Sequence, residues 1–194
     1  MTPADNDTVL SRALIGSDAL AWKAALVLGG SALIAICAQI SVPMYPVPMT
    51  LQTLAVLVVG LTFGARLGVV TLLAYLAQGA LGLPVFANGG FGPAVLMGPT
   101  GGYLFGFVAG AAVTGWLAER GWDRSVALTA LAMAIGNAVL YLPGLVQLQA
   151  VTGAPWDKVW AWGAGPFLLG DAVKLAVAAL AVPGAWALLG RLRR

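Results

Sequence analysis

The chain has 194 residues, of which 60% are hydrophobic and only 9% are charged, and its net charge is +3 at neutral pH. A soluble domain carries about 25% charged residues, and the few charges of this chain cannot cover a globular surface. Together with a mean hydropathy of +0.93, this composition indicates an integral membrane protein. The apolar runs are long and continuous instead of alternating, which favours helices over a β-barrel. The chain has no histidine, and its single cysteine, Cys37, excludes an internal disulfide.

The first twenty residues are polar and include Asp5, Asp7 and Asp18. A cleavable signal peptide has a basic start followed at once by an apolar stretch, and this segment has neither. We interpret residues 1–20 as a cytoplasmic N-terminal tail, compatible in part with an interfacial helix. Residues 21–194 contain no internal repeat and no domain boundary, and we interpret them as a single membrane domain.

Six apolar segments follow the tail. A helix needs about 20 apolar residues to cross a membrane, and only the second segment is clearly shorter than this. We therefore predict an all-α membrane protein, a bundle of six transmembrane helices at residues 22–41, 49–64, 66–83, 100–118, 125–149 and 164–190.

Basic residues are distributed unequally between the two sides of this predicted bundle. Eight flank the side that holds both termini, and only Lys158 flanks the other. Cytoplasmic loops of membrane proteins are enriched in lysine and arginine, so we expect both termini in the cytoplasm. The eight residues are Arg12, Lys23, Arg66, Arg120, Arg124, Arg191, Arg193 and Arg194.

The three outward connections are longer than the inward turns and differ from them in composition. Residues 41–48 contain three prolines, residues 84–99 are rich in glycine and proline, and residues 151–165 contain three tryptophans. Long structured loops on one face usually carry function. The tryptophans are equally well explained as an interfacial aromatic belt.

Two opposite charges, Asp171 and Lys174, lie inside the last span. At 1.5 Å per residue they lie roughly 9–14 Å below its outer end, and their spacing places both on one helix face with Phe167 and Ala178. Each such charge costs about 2.5–3.5 kcal/mol to insert. The two residues form either a structural ion pair or a ligand site. The glycine- and proline-rich loops above them favour the ligand site, since a carboxylate accepts N–H donors and an ammonium donates to a carbonyl or carboxylate.

Further candidates lie near the outer ends of the spans. Asn88, beside Phe86, can donate and accept at once, although Asn-Gly is also a common turn sequence. Gln52, Thr50 and Tyr103 are polar groups at a similar depth. Each of these three is by itself better explained by a hydrogen bond to a neighbouring helix.

A ridge of small residues runs along the first span, where Ala21, Ala25 and Gly29 recur every four residues. Such a ridge lets another helix approach closely, either one of the same bundle or one of a partner protein. The chain has no G-x-x-x-x-G-K-[ST] motif. If transport is driven by ATP, the ATPase is therefore another polypeptide.

Three long segments resemble the BioY family, the biotin-binding S components of energy-coupling factor (ECF) transporters. They are VPMTLQTLAVLVVGLTFGARLG (47–68), LGLPVFANGGFGPAVLMGPTGGYLFGF (81–107) and GPFLLGDAVKLAVAALA (165–181), and the resemblance runs from about residue 20 to the end. It implies an S-component bundle of six helices in the bacterial cytoplasmic membrane with one biotin pocket near the outer face. It also implies a partner module of a transmembrane T component and two cytoplasmic ATPases.

The resemblance also implies roles for individual residues. Asn88, Asp171 and Lys174 match positions of polar biotin contacts, with Asp171 suited to the ureido N–H groups and Lys174 to the ureido carbonyl or the carboxylate. The ridge on the first span matches, in kind, the face where S components meet the T component. The expected biotin-binding residues are Asn88, Asp171, Lys174, Phe86, Tyr103 and Gln52, and the expected partner interface is Ala21, Ala25 and Gly29.

Alternatives stay open beside this interpretation. One alternative is an S component for another vitamin, and another is a proton-coupled carrier that uses Asp171 and Lys174 as a relay. An intramembrane enzyme lacks the groups for proton transfer, since there is no histidine and only one deep carboxylate. We expect membrane lipid as a partner, no nucleic acid and no cofactor, and we leave self-association open.

Overall fold

Helices make up most of the structure, a computed structural model that describes residues 9–15 and 19–192. Two short strands form a small antiparallel hairpin in which Ser41 pairs with Thr50. In chain order the elements are α1 (Leu10–Ile15), α2 (Leu20–Gln39), β1 (Ser41–Val42), β2 (Met49–Thr50), α3 (Gln52–Ala80), α4 (Pro93–Met97), α5 (Gly101–Ala118), α6 (Val126–Thr152), α7 (Trp156–Gly163) and α8 (Leu168–Leu192).

Helix α3 consists of two legs because it is broken at Gly64. This residue has φ 82° and ψ 172°, a conformation that residues with a side chain rarely adopt. The chain then folds back, so that a Cβ on Gly68 would lie 3.4 Å from the Cα atom of Gly60. Glu119 Oε1 accepts a hydrogen bond of 2.9 Å from the backbone N–H of Ala65, which satisfies one of the free donors at the start of the second leg.

The predicted bundle of membrane helices is confirmed. Five stretches of the described chain are long and apolar enough to cross a membrane: Leu20–Gln39, Gln52–Ala80, Gly101–Ala118, Val126–Thr152 and Trp156–Arg191, the last of which joins α7 and α8. Because the two legs of α3 fold back on each other, these stretches correspond to the six predicted spans. The helical region of the last stretch begins before residue 164, since α7 precedes α8.

The centre of the bundle is formed by α3, α5 and α6, whose backbones touch at glycines. A Cβ on Gly60 would lie closer than 3.0 Å to the backbone of Ala111, and one on Gly106 would lie 2.5 Å from the carbonyl oxygen of Leu140. Small residues allow this close packing, which gives dispersion contacts where lipid offers no hydrophobic driving force. The glycines of α3, α5 and α6 therefore serve largely as helix contacts.

Helix α2 lies at the outside of the bundle and presents two different faces. Gly30 packs against Phe63 of α3, closely enough that a Cβ there would lie 2.8 Å from the ring. Ala21, Ala25 and Gly29 are exposed, and a Cβ on Gly29 would meet no atom of the described residues within 4 Å. The ridge of small residues is therefore not used for packing within the described part of the chain.

Part of the predicted N-terminal tail packs against the bundle. Val9, Leu10 and Ala13 are buried, and Val9 lies against the turn at Gly64. At this same end of the bundle, Trp186 Nε1 of α8 donates a hydrogen bond of 2.6 Å to Asp123 Oδ2. The tail residues Asp5, Asp7 and Asp18 and the C-terminal Arg193 and Arg194 lie outside the described residues.

The three predicted outward connections meet at the opposite end. The first forms the β1–β2 hairpin, the second contains a 3-10 turn at Ala87–Gly89 followed by α4, and the third contains α7. Helices α3, α5 and α8 all begin at this end, so their first turns surround a common space.

Candidate ligand-binding site

A cavity of about 450 Å³ lies among these connections and helix ends. Its volume is within the range of about 300–1,000 Å³ that is typical of small-molecule pockets. All the biotin-binding residues predicted from the sequence line it, namely Gln52, Phe86, Asn88, Tyr103, Asp171 and Lys174. The fold thus brings together residues from three helices and one loop, while their contact with a ligand stays a prediction.

Asp171 and Lys174 form an ion pair in the first turns of α8. Lys174 Nζ lies 3.0 Å from Asp171 Oδ1 and also donates a hydrogen bond of 2.8 Å to Thr53 Oγ1 of α3. The second carboxylate oxygen of Asp171 accepts a hydrogen bond from the Tyr141 hydroxyl of α6. Each charge therefore has a compensating partner, which offsets part of the cost of removing it from water, and both still face the cavity.

Tyr141 and Thr53 were not among the residues predicted from the sequence. Each is a single polar residue within an apolar helix, where packing explains it equally well. Their importance follows from the register of α6 and α3 against α8, which places both hydroxyls beside the charge pair. A local sequence pattern carries no signal of this register.

Tyr103 contributes its ring to the cavity wall, because its hydroxyl is already used. This hydroxyl donates a hydrogen bond of 2.8 Å to the carbonyl oxygen of Gly163 at the end of α7. The ring packs edge-on against that of Tyr141, with 6.1 Å between the centroids and 86° between the planes. Tyr103 is therefore an apolar contact surface that also supports Tyr141.

Gln52 is held by a chain of hydrogen bonds to the neighbouring leg and loop. Its Nε2 atom donates to Tyr75 Oη at 2.7 Å, and Tyr75 Oη donates to the carbonyl oxygen of Val85 at 2.9 Å. Phe86 packs edge-on against Tyr75, with ring centroids 5.5 Å apart, and is 1% exposed. Gln52 and Phe86 therefore fix the loop over the cavity in addition to lining it.

Asn88 adopts the turn conformation that its sequence context suggests, and it lines the cavity. Its φ of 56° is left-handed, as expected for asparagine in a turn, and its Oδ1 atom accepts a hydrogen bond of 2.7 Å from Ser41 Oγ of the hairpin. The neighbouring Gly89 N–H donates to Gln39 Oε1 at 2.8 Å. Asn88 thus joins the second connection to the first at the exposed rim of the cavity.

The remaining lining is mostly apolar. This combination suits a small molecule with an apolar body and a polar group that both donates and accepts hydrogen bonds. Among the described residues, no group of histidine, cysteine, aspartate and glutamate side chains has the arrangement of a metal site. The apolar residues include Val47, Met49, Val95, Leu104, Phe107, Leu140 and Phe167.

Sequence comparison places this chain in a known family. The BioY family model matches residues 10–191. The chain belongs to the BioY family. The match begins ten residues before the point at which the resemblance in the sequence begins, so it includes α1.

BioY relatives of known name cover most of the chain. It is 42% identical over 150 residues to "Biotin transporter BioY" of Thermotoga maritima, which covers 77% of this chain and 87% of that protein. It is 40% identical over 148 residues to "Biotin transporter BioY" of Rhizobium etli, over 73% of this chain and 79% of the relative. These relatives are named as transporters, in agreement with the expectation that the chain is not an enzyme.

A solved structure has the same fold. The crystal structure of "the S-component for biotin from an ECF-type ABC transporter" superposes with a TM-score of 0.73 and 22% sequence identity, over 91% of this chain and 95% of the other. At this identity the comparison bears on the fold alone. It agrees with the predicted S-component type of helix bundle.

Proposed function

We propose that this protein binds biotin and takes it up across the cytoplasmic membrane as the substrate-binding S component of an ECF transporter. The observation that carries the proposal is the cavity at the first turns of α8, where a carboxylate and an ammonium lie side by side next to a mostly apolar wall. Membership of a family whose relatives are named biotin transporters supports it.

The chemistry of biotin complements this cavity. Its ureido ring has two N–H donors and one carbonyl acceptor, its second ring carries an apolar sulfur, and its chain ends in a carboxylate. Asp171 accepts the N–H donors, while Lys174 donates to the ureido carbonyl or to the carboxylate. The rings of Phe86 and Tyr103 pack against the apolar part, and Gln52 and Asn88 complete the wall and the rim.

The orientation that we propose has the cavity on the outer face and both termini in the cytoplasm. Lys23, Arg66, Arg120 and Arg124 lie at or near the end of the bundle remote from the cavity, and Lys158 of α7 lies at the cavity end. This distribution is the one that the positive-inside rule favours. A biotin molecule from outside then reaches the cavity without crossing the bundle.

The exposed ridge of Ala21, Ala25 and Gly29 is the surface that we propose for the T component. Its openness in the described chain supports this role, because small exposed residues on a membrane helix allow a partner helix to approach closely. The two ATPases of the module would then supply the energy, since the chain has no nucleotide-binding motif of its own.

The direct test is equilibrium binding to the detergent-purified chain. We expect saturable binding of radiolabelled biotin that excess unlabelled biotin displaces and that riboflavin or thiamine does not, with no ATP hydrolysis by the chain alone. Saturable binding of radiolabelled riboflavin or thiamine together with no binding of biotin would identify an S component of different specificity. Robust ATPase activity of the chain alone would contradict the S-component assignment.

The orientation is tested separately with an impermeant thiol reagent on intact cells. A Cys37→Ala background removes the native thiol, and single cysteines then replace Asp5 and Asp157. We expect labelling at position 157 and not at position 5, with both positions labelled after permeabilisation. The reverse pattern would place the cavity on the cytoplasmic face and refute the uptake geometry.

A further inference from the structure

Two neutral hydroxyls of the cavity wall are held in opposite hydrogen-bonding roles by the charge pair. Asp171, paired with an ammonium, accepts hydrogen bonds and has none to donate, so the Tyr141 hydroxyl uses its single O–H group to donate to it. The Tyr141 oxygen can then act toward the cavity only as an acceptor. Lys174 can only donate, so Thr53 Oγ1 accepts its hydrogen bond and keeps its own O–H group to donate.

Both remaining capacities are unused among the described residues. Tyr141 Oη receives no hydrogen bond there, and Thr53 donates none, in contrast to Thr62, whose hydroxyl donates to the carbonyl oxygen of Val58 at 2.7 Å. Tyr141 and Thr53 are half-buried and line the cavity. The wall therefore presents one fixed acceptor and one fixed donor beside the two charges.

We propose that Tyr141 accepts a hydrogen bond from a ureido N–H of biotin and that Thr53 donates one to the ureido carbonyl, an inference that rests on the proposed function. A cyclic urea displays N–H donors next to a carbonyl acceptor, which is the complement of this wall. Asp171 and Lys174 thus act twice, by direct contact and by fixing the roles of the two hydroxyls. Rings that lack either group leave a buried polar atom unpaired, which strongly disfavours them.

The test compares two ligands on wild-type protein and three variants. Biotin and 2′-thiobiotin have the same N–H groups, but the thiocarbonyl of the second is a weaker hydrogen-bond acceptor. We expect Tyr141→Phe to weaken the binding of both ligands by about tenfold and to leave the ratio of biotin affinity to thiobiotin affinity unchanged. Thr53→Val should weaken the binding of biotin by about tenfold but that of thiobiotin much less, so that this ratio falls. Thr53→Ser should restore the wild-type ratio.

Matched controls remove a hydroxyl elsewhere. Tyr45→Phe changes an exposed tyrosine of the hairpin loop that does not line the cavity, and Thr62→Val removes a hydroxyl that bonds only within its own helix. Both should bind like the wild type, and a melting curve accompanies every variant. The two positions are read independently, so a poorly folded Tyr141→Phe leaves the Thr53 ratio decisive.

The outcomes separate this inference from the proposed function. Wild-type protein that does not bind biotin would overturn both. Normal wild-type binding with an unchanged affinity in a folded Tyr141→Phe, or with an unchanged ligand ratio in Thr53→Val, would overturn the inference alone. In the latter case Thr53 would serve only to hold Lys174.

Discussion

The inner and outer helices of this bundle are built on different principles. In α3, α5 and α6, glycines bring backbones into contact, as where Gly60 meets Ala111, and an added methyl group has no space. The outer helices α2 and α8 have open glycines, Gly29 and Gly184, around which nothing described lies within 4 Å. The charge pair lies on α8 and the small-residue ridge on α2. The inner helices thus supply the close packing and part of the cavity wall, and we propose that the outer ones carry the charges for the ligand and the ridge for the partner.

The largest effect that we expect is on folding, from one methyl group at the centre. Gly60→Ala places a Cβ against the backbone of Ala111 and the side chain of Thr114, and such overpacking typically costs about 1–3 kcal/mol, occasionally more. Gly184→Ala on α8 adds the same atom in open space and should melt like the wild type. Monodispersity and melting temperature in detergent measure both. Equal stability of the two variants would abolish the distinction between inner and outer helices.

The next effect is on binding, from the charge pair. Lys174→Met removes a donor to the ligand, and since a hydrogen bond to a charged group contributes about 1.5–3 kcal/mol, biotin affinity should fall roughly 10- to 150-fold. If the pair were only structural, removing one partner would strand the other charge, and removing both would be milder. We therefore expect the double variant with Asp171→Asn to bind no better than either single variant. Full recovery of binding in the double variant would favour a purely structural pair.

A more selective effect is expected on α2. Gly29→Leu fills the ridge at a position where an added Cβ meets no described atom within 4 Å, so biotin binding by the isolated protein should be normal while co-purification with the ECF module is lost. Gly184→Leu makes the same change on α8, at another open glycine, and serves as the control. Retention of the module by Gly29→Leu would remove this ridge from the proposed interface.

The smallest effect concerns the polar contact that holds the far end of α8. Burial raises the pKa of Asp123, and the Trp186 hydrogen bond and the Arg124 charge oppose this shift only in part. Because the pKa of Asp123 is higher in the folded protein than in the unfolded chain, its protonation stabilises the fold. This stability is fully present below the pKa of the unfolded chain, near 3.8, and is lost as the pH rises through the pKa of the folded protein. Asp123→Asn retains an acceptor for Trp186 and removes the buried charge.

We therefore expect Asp123→Asn to melt at or slightly above the wild-type temperature at neutral pH, with the difference shrinking on acidification. Asp123→Leu, which leaves the Trp186 N–H without its acceptor, should melt lower by the equivalent of about 1–3 kcal/mol. A clear loss of stability in Asp123→Asn at neutral pH would show that the charge itself is required there.

Much of this architecture is predictable from the sequence because hydropathy and charge act locally. The bundle of membrane helices and the shared face of Asp171 and Lys174 follow from apolar length and helical spacing, whereas the place of Asn88 in the site follows from the family resemblance. The break between the second and third predicted spans falls at Gly64, within one residue of their predicted boundary.

The features that escaped prediction depend on contacts between distant segments. Tyr141 and Thr53 become part of the site only through the register of their helices against α8. The β1–β2 hairpin is too short to give an alternating pattern, and α7 is too short to stand out beside the apolar run that follows it. The docking of α1 depends on Val9 meeting the turn at Gly64, a tertiary contact.

The central claim is that the carboxylate on α8 binds biotin in this cavity, and an isothermal titration of biotin into purified wild-type protein and Asp171→Asn tests it most directly. Asn is nearly isosteric with Asp and still accepts from Tyr141 through its carbonyl oxygen, so the fold should persist while one acceptor for the ligand becomes a donor. We predict saturable binding by the wild type and at least a roughly tenfold loss of affinity in the variant, with melting curves showing that both are folded. Absence of biotin binding by the wild type, or wild-type affinity in a folded Asp171→Asn, would contradict the account.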